Sequence, residues 1–393
     1  MPSIRIALFT GNYNHIEDGV SRTLGRLVGH LIGTGHDVLV VGPSIEDALD
    51  QPGDFLEVPS IAIPGRPEYR ISTRFPSGAR RKVEAFDPHI VHIATPDLLG
   101  HRALTWAIKQ RLPVVTTYHT HFASYLDYYS LGRAAPLLWA VFRRFYNRCL
   151  EVYVPTPSMR DALLDHGVTS TIRLWPRGIE ANRFDPSSRS SSWREAHGFA
   201  ASDRVVTFVS RLVKEKGLDV FVDVMSRLRS DGLPVKTLIV GDGPERSALE
   251  DALPEATFTG HLGGDEIATA YASSDVFLFP SETETFGNVT LEAMASGLAV
   301  VAADAAGSKS LVEDGMTGLL CPPRDRRCFA DATRSVLEDD ALRRRLGSAA
   351  RESALEYDWQ TVLDRMIDYY LAVVDAHSPA TVPSSGSSRR RGA

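Results

Sequence analysis

Glu284 and Glu292 stand eight positions apart, with Phe286-Gly287-Asn288-Val289 between them. An ionised carboxylate is an acceptor with two oxygens, so a pair framing one turn suits the hydroxyls of a sugar. The apolar run Val276-Phe277-Leu278-Phe279 ahead of them reads as a buried strand. An apolar helix is expected from about Asn288, which puts Glu284 before the helix and Glu292 inside it. Gly287 lets a ligand approach the backbone closely. The first N–H groups of the helix lack intrahelical acceptors and favour an anion. One strand–turn–helix therefore carries the parts to hold a nucleotide-diphosphate sugar. Glu282 is a neighbouring carboxylate and reads as solvated or as a helper.

Two cations occupy a comparable place earlier in the chain. Arg211 and Lys216 follow the stretch 204–210, which reads as a strand. Fixed cations beside a departing diphosphate stabilise its charge most where that charge develops. Lys214 reads as the basic start of a surface helix. Near the N-terminus, Asp18-Gly19-Val20 forms a glycine turn after a first strand, a weak signal by itself. Tyr118-His119-Thr120-His121-Phe122 sets two histidines at i and i+2 with no cysteine or carboxylate close by in sequence, a poor pattern for a metal. No Asp-x-Asp occurs in the chain.

Taken in order, these segments resemble the family-4 retaining glycosyltransferases, whose fold is GT-B. Residues 210–217 resemble the family's phosphate-binding segment and residues 240–245 its next strand-end turn. Gly307 and residues 312–320 resemble its closing strands, and Asp18-Gly19-Val20 its first glycine-rich turn. The resemblance covers nearly the whole chain. It implies two Rossmann-like domains facing each other across a cleft. It implies that Glu284 lies beside the donor-sugar hydroxyls and that Glu292 accepts from the ribose. Arg211 and Lys216 would hold the diphosphate, and Phe286, Gly287, Asn288 and Val289 would offer backbone groups to diphosphate and sugar. Gly19 would meet the diphosphate from the opposite side. His119 is the better match to a histidine near sugar and acceptor, with His121 less certain. His119, Arg211, Lys216 and Glu284 are thus the catalytic candidates. The mechanism implied is front-side attack with retention, the leaving phosphate taking the acceptor proton. Neither a metal nor a further cofactor is expected.

The substrate is less specified. Tyr118-His119-Thr120-His121 and Trp175-Pro176-Arg177-Gly178-Ile179-Glu180 look most like two branches: GDP-mannose-dependent α-mannosyltransferases acting on lipid acceptors, and UDP-sugar glycolipid synthases of the sulfoquinovosyl diacylglycerol type. Mannose is slightly favoured, and Glu180 departs from the Asp common among relatives. A non-catalytic sugar-nucleotide-binding protein would be expected to have lost Arg211, Lys216 or the two glutamates, and all are present. A nicotinamide dehydrogenase would carry Gly-x-Gly-x-x-Gly in its first βα turn, which is missing, and Gly241-Asp242-Gly243-Pro244 breaks the pattern too.

The elements that must position these residues alternate. Continuous apolar strands are expected at 4–9, 37–42, 90–93, 113–117 and 152–155, and again at 204–210, 236–240, 256–258, 276–279 and 299–302. Helices fall between them, the pattern of parallel sheets covered on both faces. Domains are read as 1–178, 179–357, a helix at 358–377 returning to the first domain, and a disordered Pro/Ser/Gly-rich tail at 378–393. The boundary is marked by the loop composition of residues 183–192.

A chain of 393 residues with 43% hydrophobic content fills two cores. No apolar run is long enough for a membrane span, and no signal segment opens the chain. Three scattered cysteines give neither a disulfide framework nor a metal pattern. A cytoplasmic enzyme is expected. Residues 1–180 carry 19 Lys+Arg against 17 Asp+Glu, and residues 181–377 carry 21 against 32. The acidic half excludes a general nucleic-acid surface. The mildly basic half suits an anionic partner such as a lipid headgroup. There, residues 136–149 are helical, aromatic and basic, and read either as a peripheral contact at the inner membrane face or as a core helix with a solvated arginine face. Asp127, Tyr128, Tyr129 and residues 66–74 are candidates for the acceptor side.

Overall fold

The computed structural model describes residues 3–14, 19–44, 49–63, 66–118, 135–284 and 286–377. The expectations for His119, His121, Asp127, Tyr128, Tyr129 and the 378–393 tail lie outside these.

The first sheet has seven strands. Its members are β1 (Arg5–Phe9), β2 (Asp37–Pro43), β3 (Asp54–Val58), β6 (Ile90–Ile93), β7 (Val114–Thr117), β8 (Glu151–Val154) and β9 (Thr171–Leu174), in the order β3-β2-β1-β6-β7-β8-β9. A hairpin of β4 (Ser60–Ile63) and β5 (Arg66–Ser72) stands apart. The central strands β6, β7 and β8 are buried along their whole length, including the polar His92, Thr116, Thr117 and Glu151. The edge strands β3 and β9 escape the sequence reading. Asp54 and Glu57 interrupt the first, and the second is only partly buried, because an edge strand has one side to shield and keeps polar groups on the other.

The second sheet is wholly parallel and has six strands: β10 (Arg204–Val209), β11 (Val235–Val240), β12 (Thr257–Gly260), β13 (Val276–Phe279), β14 (Ala299–Ala303) and β15 (Leu319–Cys321). Their order is β12-β11-β10-β13-β14-β15. The chain winds one way from β10 and then the other way from β13, so the reversal falls between these two central strands. Val206 and Thr207 pair there with Val276 and Phe277. At such a reversal the strand ends leave a crevice for a ligand.

By packing, described residues up to 118, with 135–152 and 366–377, form one compact unit, and 153–365 form the other. The final helix, Trp359–His377, begins in the second and ends in the first. An added Cβ at Gly178 would lie 2.4 Å from Cδ2 of Trp359, so glycine lets the chain after β9 lie on the indole. Further along, the fully buried Tyr370 places its hydroxyl 2.6 Å from His92 Nδ1, and His92 Nε2 lies 3.1 Å from Thr117 Oγ1.

The helix Ala135–Tyr146 has one buried and one exposed face. Trp139, Phe142, Phe145 and Tyr146 enter the core. Its other face exposes Leu137 and Val141 beside Arg143 and Arg144. Among the described residues no helix is long and apolar enough to cross a membrane.

Candidate functional site

The turns leaving β10 and β13 hold most of the sequence candidates. After β10, Ser210 N donates to Val240 O at 3.1 Å and Leu212 N to Asp242 O at 2.9 Å, while Glu245 N donates to Leu212 O at 3.1 Å. The two strand-end turns thus interlock. A Cβ at Gly241 would sit 1.9 Å from Ser210 O, and one at Gly243 would sit 2.4 Å from Leu212 O. This contact fixes the backbone that carries Arg211. Its side chain is exposed and forms no ion pair with any described residue.

The chain then makes a 3-10 turn, Lys214–Lys216, closed by Gly217 at φ 73°. That φ is left-handed and disfavours a side chain. A Cβ there would also approach Pro280 O to 2.7 Å. Gly217 therefore seats the turn directly on the loop leaving β13. As a result Lys216 Nζ lies 2.5 Å from Glu284 Oε1, with the two side chains 13% and 19% exposed. These residues are 68 positions apart and meet across the sheet's reversal point.

Glu284 is held from behind by Gly307. A Cβ at Gly307 would stand 2.4 Å from Glu284 Cβ and 2.7 Å from its carbonyl oxygen. Gly307→Ala should therefore push Glu284 away from Lys216. The expected result is a loss of turnover of at least tenfold in a protein that still unfolds cooperatively, read by initial rates and a thermal melt. Unchanged rates would mean that Glu284 needs no fixed position. Glu282 is exposed and pairs with Arg324 at 2.6 Å.

Gly287 has φ 96° and opens the helix Asn288–Ala295 without a side-chain cap. The first helical bond runs from Leu291 N to Gly287 O. The N–H groups of Asn288 and Val289 have no acceptor among the described residues and point out of the helix start, where the macrodipole also favours negative charge. Phe286 is 5% exposed and meets the Tyr357 ring at 6.1 Å. Its side chain anchors the turn, and only its backbone borders the opening. Two buried hydroxyls that sequence reasoning passed over, those of Thr290 and Ser308, have no hydrogen-bond partner among the described residues. The C-terminal end of this helix is fixed by Arg351, which donates to Ala295 O at 2.7 Å and Phe184 O at 2.6 Å and pairs with Asp185 at 2.6 Å.

Glu292 is half-buried one turn into the helix. Tyr271 donates its hydroxyl to Glu292 Oε2 at 3.0 Å. Burial pushes the Glu292 carboxyl up to about 7; the Tyr271 hydrogen bond opposes the rise and the charge of Glu180 adds to it. Glu180 is in turn paired with Arg183. Tyr271 was not a sequence candidate. The only signal was a lone Tyr among alanines on the helix Gly264–Ala272, which reads as ordinary core.

Arg211, Lys216, Glu284, Gly287, Asn288, Val289 and Glu292 thus all lie on the turns and helix that follow β10 and β13. Gly19 opens the helix Gly19–Gly33 in the other unit, and His119 lies outside the described residues. Among the described residues no group of three His, Cys, Asp or Glu side chains is placed to hold a metal ion.

The family model described as Glycosyltransferase Family 4 matches residues 18–183. The one described as Glycosyl transferases group 1 matches residues 203–339. A GDP-mannose-dependent alpha-mannosyltransferase of Corynebacterium glutamicum is 32% identical, covering 94% of this chain and 89% of that protein. One from Mycolicibacterium smegmatis is 36% identical, covering 95% and 99%. Among solved structures, Anabaena Alr3699/HepE in complex with UDP superposes with a TM-score of 0.71 at 19% identity, covering 94% of this chain and 100% of that one.

Proposed function

The chain belongs to glycosyltransferase family 4, and from that premise we propose that it moves mannose from GDP-mannose to a lipid or glycan hydroxyl, giving an α-mannoside. The observation that carries the assignment of roles is the Lys216–Glu284 pair, 2.5 Å apart beside an uncapped helix start at Asn288. A leaving diphosphate fits the N–H groups of Asn288 and Val289, with Arg211 and Lys216 as its cations. Glu284 accepts from the donor-sugar hydroxyls and Glu292 from the ribose. In the reaction the bond from the sugar's anomeric carbon to the phosphate oxygen breaks. The acceptor oxygen bonds to the same face, and its proton passes to the departing phosphate oxygen. No metal or further cofactor takes part in this reading. Gly19 and His119 are assigned to donor-phosphate and acceptor contacts.

For the setting we propose a cytoplasmic enzyme that touches the inner membrane face and binds no nucleic acid. Leu137 and Val141 are exposed on the same helix as Arg143 and Arg144. Such a face suits the headgroup layer of anionic lipids.

The test begins with a panel of GDP-, UDP- and ADP-sugars. A ligand that binds only the folded state raises the melting temperature, and GDP-mannose should protect most. GDP-α-mannose and a lipid hydroxyl acceptor are then incubated in excess EDTA, and the product is read by proton NMR. An α-mannoside is expected. A β-linked product, a strict need for added magnesium or manganese, or protection by UDP-sugars alone would each overturn part of the reading.

A further inference from the structure

We propose that Tyr271 is a positioning residue for the nucleotide: its hydroxyl holds one oxygen of Glu292 and leaves the other for the ribose, with Glu180 as the opposing charge. The inference rests on the reading of Glu292 as a ribose ligand. Tyr271 is fully buried, and its ring is wedged edge-on between Phe184 and Phe277 at 5.9 and 6.0 Å. The ring cannot swing, so the hydroxyl points one way. A buried phenol needs a partner, and the one it has is Glu292 Oε2 at 3.0 Å. Burial raises the phenol well above its ordinary range, so it stays protonated and acts as a donor at any working pH. Glu292 Oε1 takes no hydrogen bond from a described residue.

The groups acting on Glu292 come from two elements. Tyr271, on the helix Gly264–Ala272, favours the carboxylate, and Glu180, after β9, disfavours it. Arg183 pairs with Glu180 and lies 3.1 Å from Asp265, which tempers the Glu180 charge without removing it. Only an ionised Glu292 can offer both oxygens as acceptors, one to Tyr271 and one to a ribose hydroxyl. Burial raises the Glu292 carboxyl, and Tyr271 and Glu180 then shift in opposite directions the pH above which the nucleotide is held.

The experiment titrates GDP and UDP, which share the ribose, against wild type, Tyr271→Phe, Glu180→Gln and Glu292→Ala from pH 5.5 to 9. The Glu292→Ala profile reports the nucleotide's own phosphate ionisation, near pH 6 for a phosphate monoester, and is subtracted. Wild-type affinity should fall as pH drops through about 7. Tyr271→Phe should move that fall upward by about one pH unit, a roughly fivefold loss at pH 7 that grows towards tenfold at lower pH and is regained by pH 9. Glu180→Gln should move it downward. A uniform loss at every pH in Tyr271→Phe would mark a merely structural tyrosine and overturn the proposal, as would an unmoved profile in either variant. Should Tyr271→Phe fail to fold, the Glu180→Gln profile decides alone. Unchanged affinity in Glu292→Ala would instead sink the underlying reading of the ribose site.

Discussion

Lys216→Ala should lower turnover by two orders of magnitude or more while leaving the acceptor's KM nearly unchanged. Its ammonium lies against Glu284 at the reversal point of the second sheet, only 13% exposed. When the glycosidic phosphate bond breaks, negative charge grows on the leaving group. A fixed cation there acts on the transition state more than on bound substrate. Losing one such contact costs on the order of 3 kcal/mol of barrier. Truncation also leaves Glu284 facing a partly shielded site without its cation, and that carboxylate can then rotate away from the sugar. Lys216→Arg keeps the charge but not the compact ammonium, and its broader fork meets a turn seated on Pro280. It should recover only part of the rate. Steady-state kinetics over both substrates decide the point. A fivefold or smaller loss in kcat would remove Lys216 from the leaving-group contact.

The second large effect has opposite signs on two readouts. Glu292→Gln should stabilise the unliganded protein at pH 8 and weaken its nucleotide binding by tenfold or more. The folded-state carboxyl titrates at about 7, against an ordinary 4.5. Between those values the folded protein keeps a proton that the unfolded chain has lost. Stability therefore falls as pH rises through this window, and above pH 7 the whole penalty is present. Its upper limit is about 3 kcal/mol. A neutral glutamine keeps the shape and the bond from Tyr271 but escapes that penalty. Melting temperatures of the two proteins should coincide near pH 4.5 and separate by several degrees at pH 8. A variant less stable than wild type at pH 8 would contradict this account. The opposition is the familiar conflict between stability and a working site.

Much of the site is legible in the sequence because it is local. Val276–Phe279 is an unbroken apolar run, Gly287 breaks it from the helix Asn288–Ala295, and the two carboxylates are counted off directly. Both β10 and the Arg211–Lys216 turn are legible for the same reason. What remains hidden is the partnership between distant segments. Gly307 resembles part of the family's closing strands, and nothing in its neighbours says that it gives way to Glu284 Cβ. Arg324 and Glu282 are surface charges until the fold pairs them. Tyr271 looks like core because its ring is core, and only its hydroxyl is functional. Strand order is likewise out of reach of periodicity. The meeting of β10 with β13, which brings Lys216 to Glu284, depends on a reversal of winding rather than on any residue pattern. The edge strands β3 and β9 are missed for the opposite reason, since half-exposed strands carry too little apolar signal.

The path of the chain has a consequence for how the protein is made. The first unit is left at residue 152 and re-entered at 366. A ribosome therefore delivers the whole of the second unit before the first can close. Among the described residues the second is a single stretch, 153–365. The first must wait with His92 and Thr117 lacking the tyrosine that completes their buried bond. At about 5–20 residues per second the wait is on the order of ten seconds or more. The free-energy cost of closing so long a loop grows only with the logarithm of its length, so the burden is one of time. The last helix thus works as a latch on a nascent chain, and a message cut short anywhere before Tyr370 yields a first unit that stays open to chaperones and proteases.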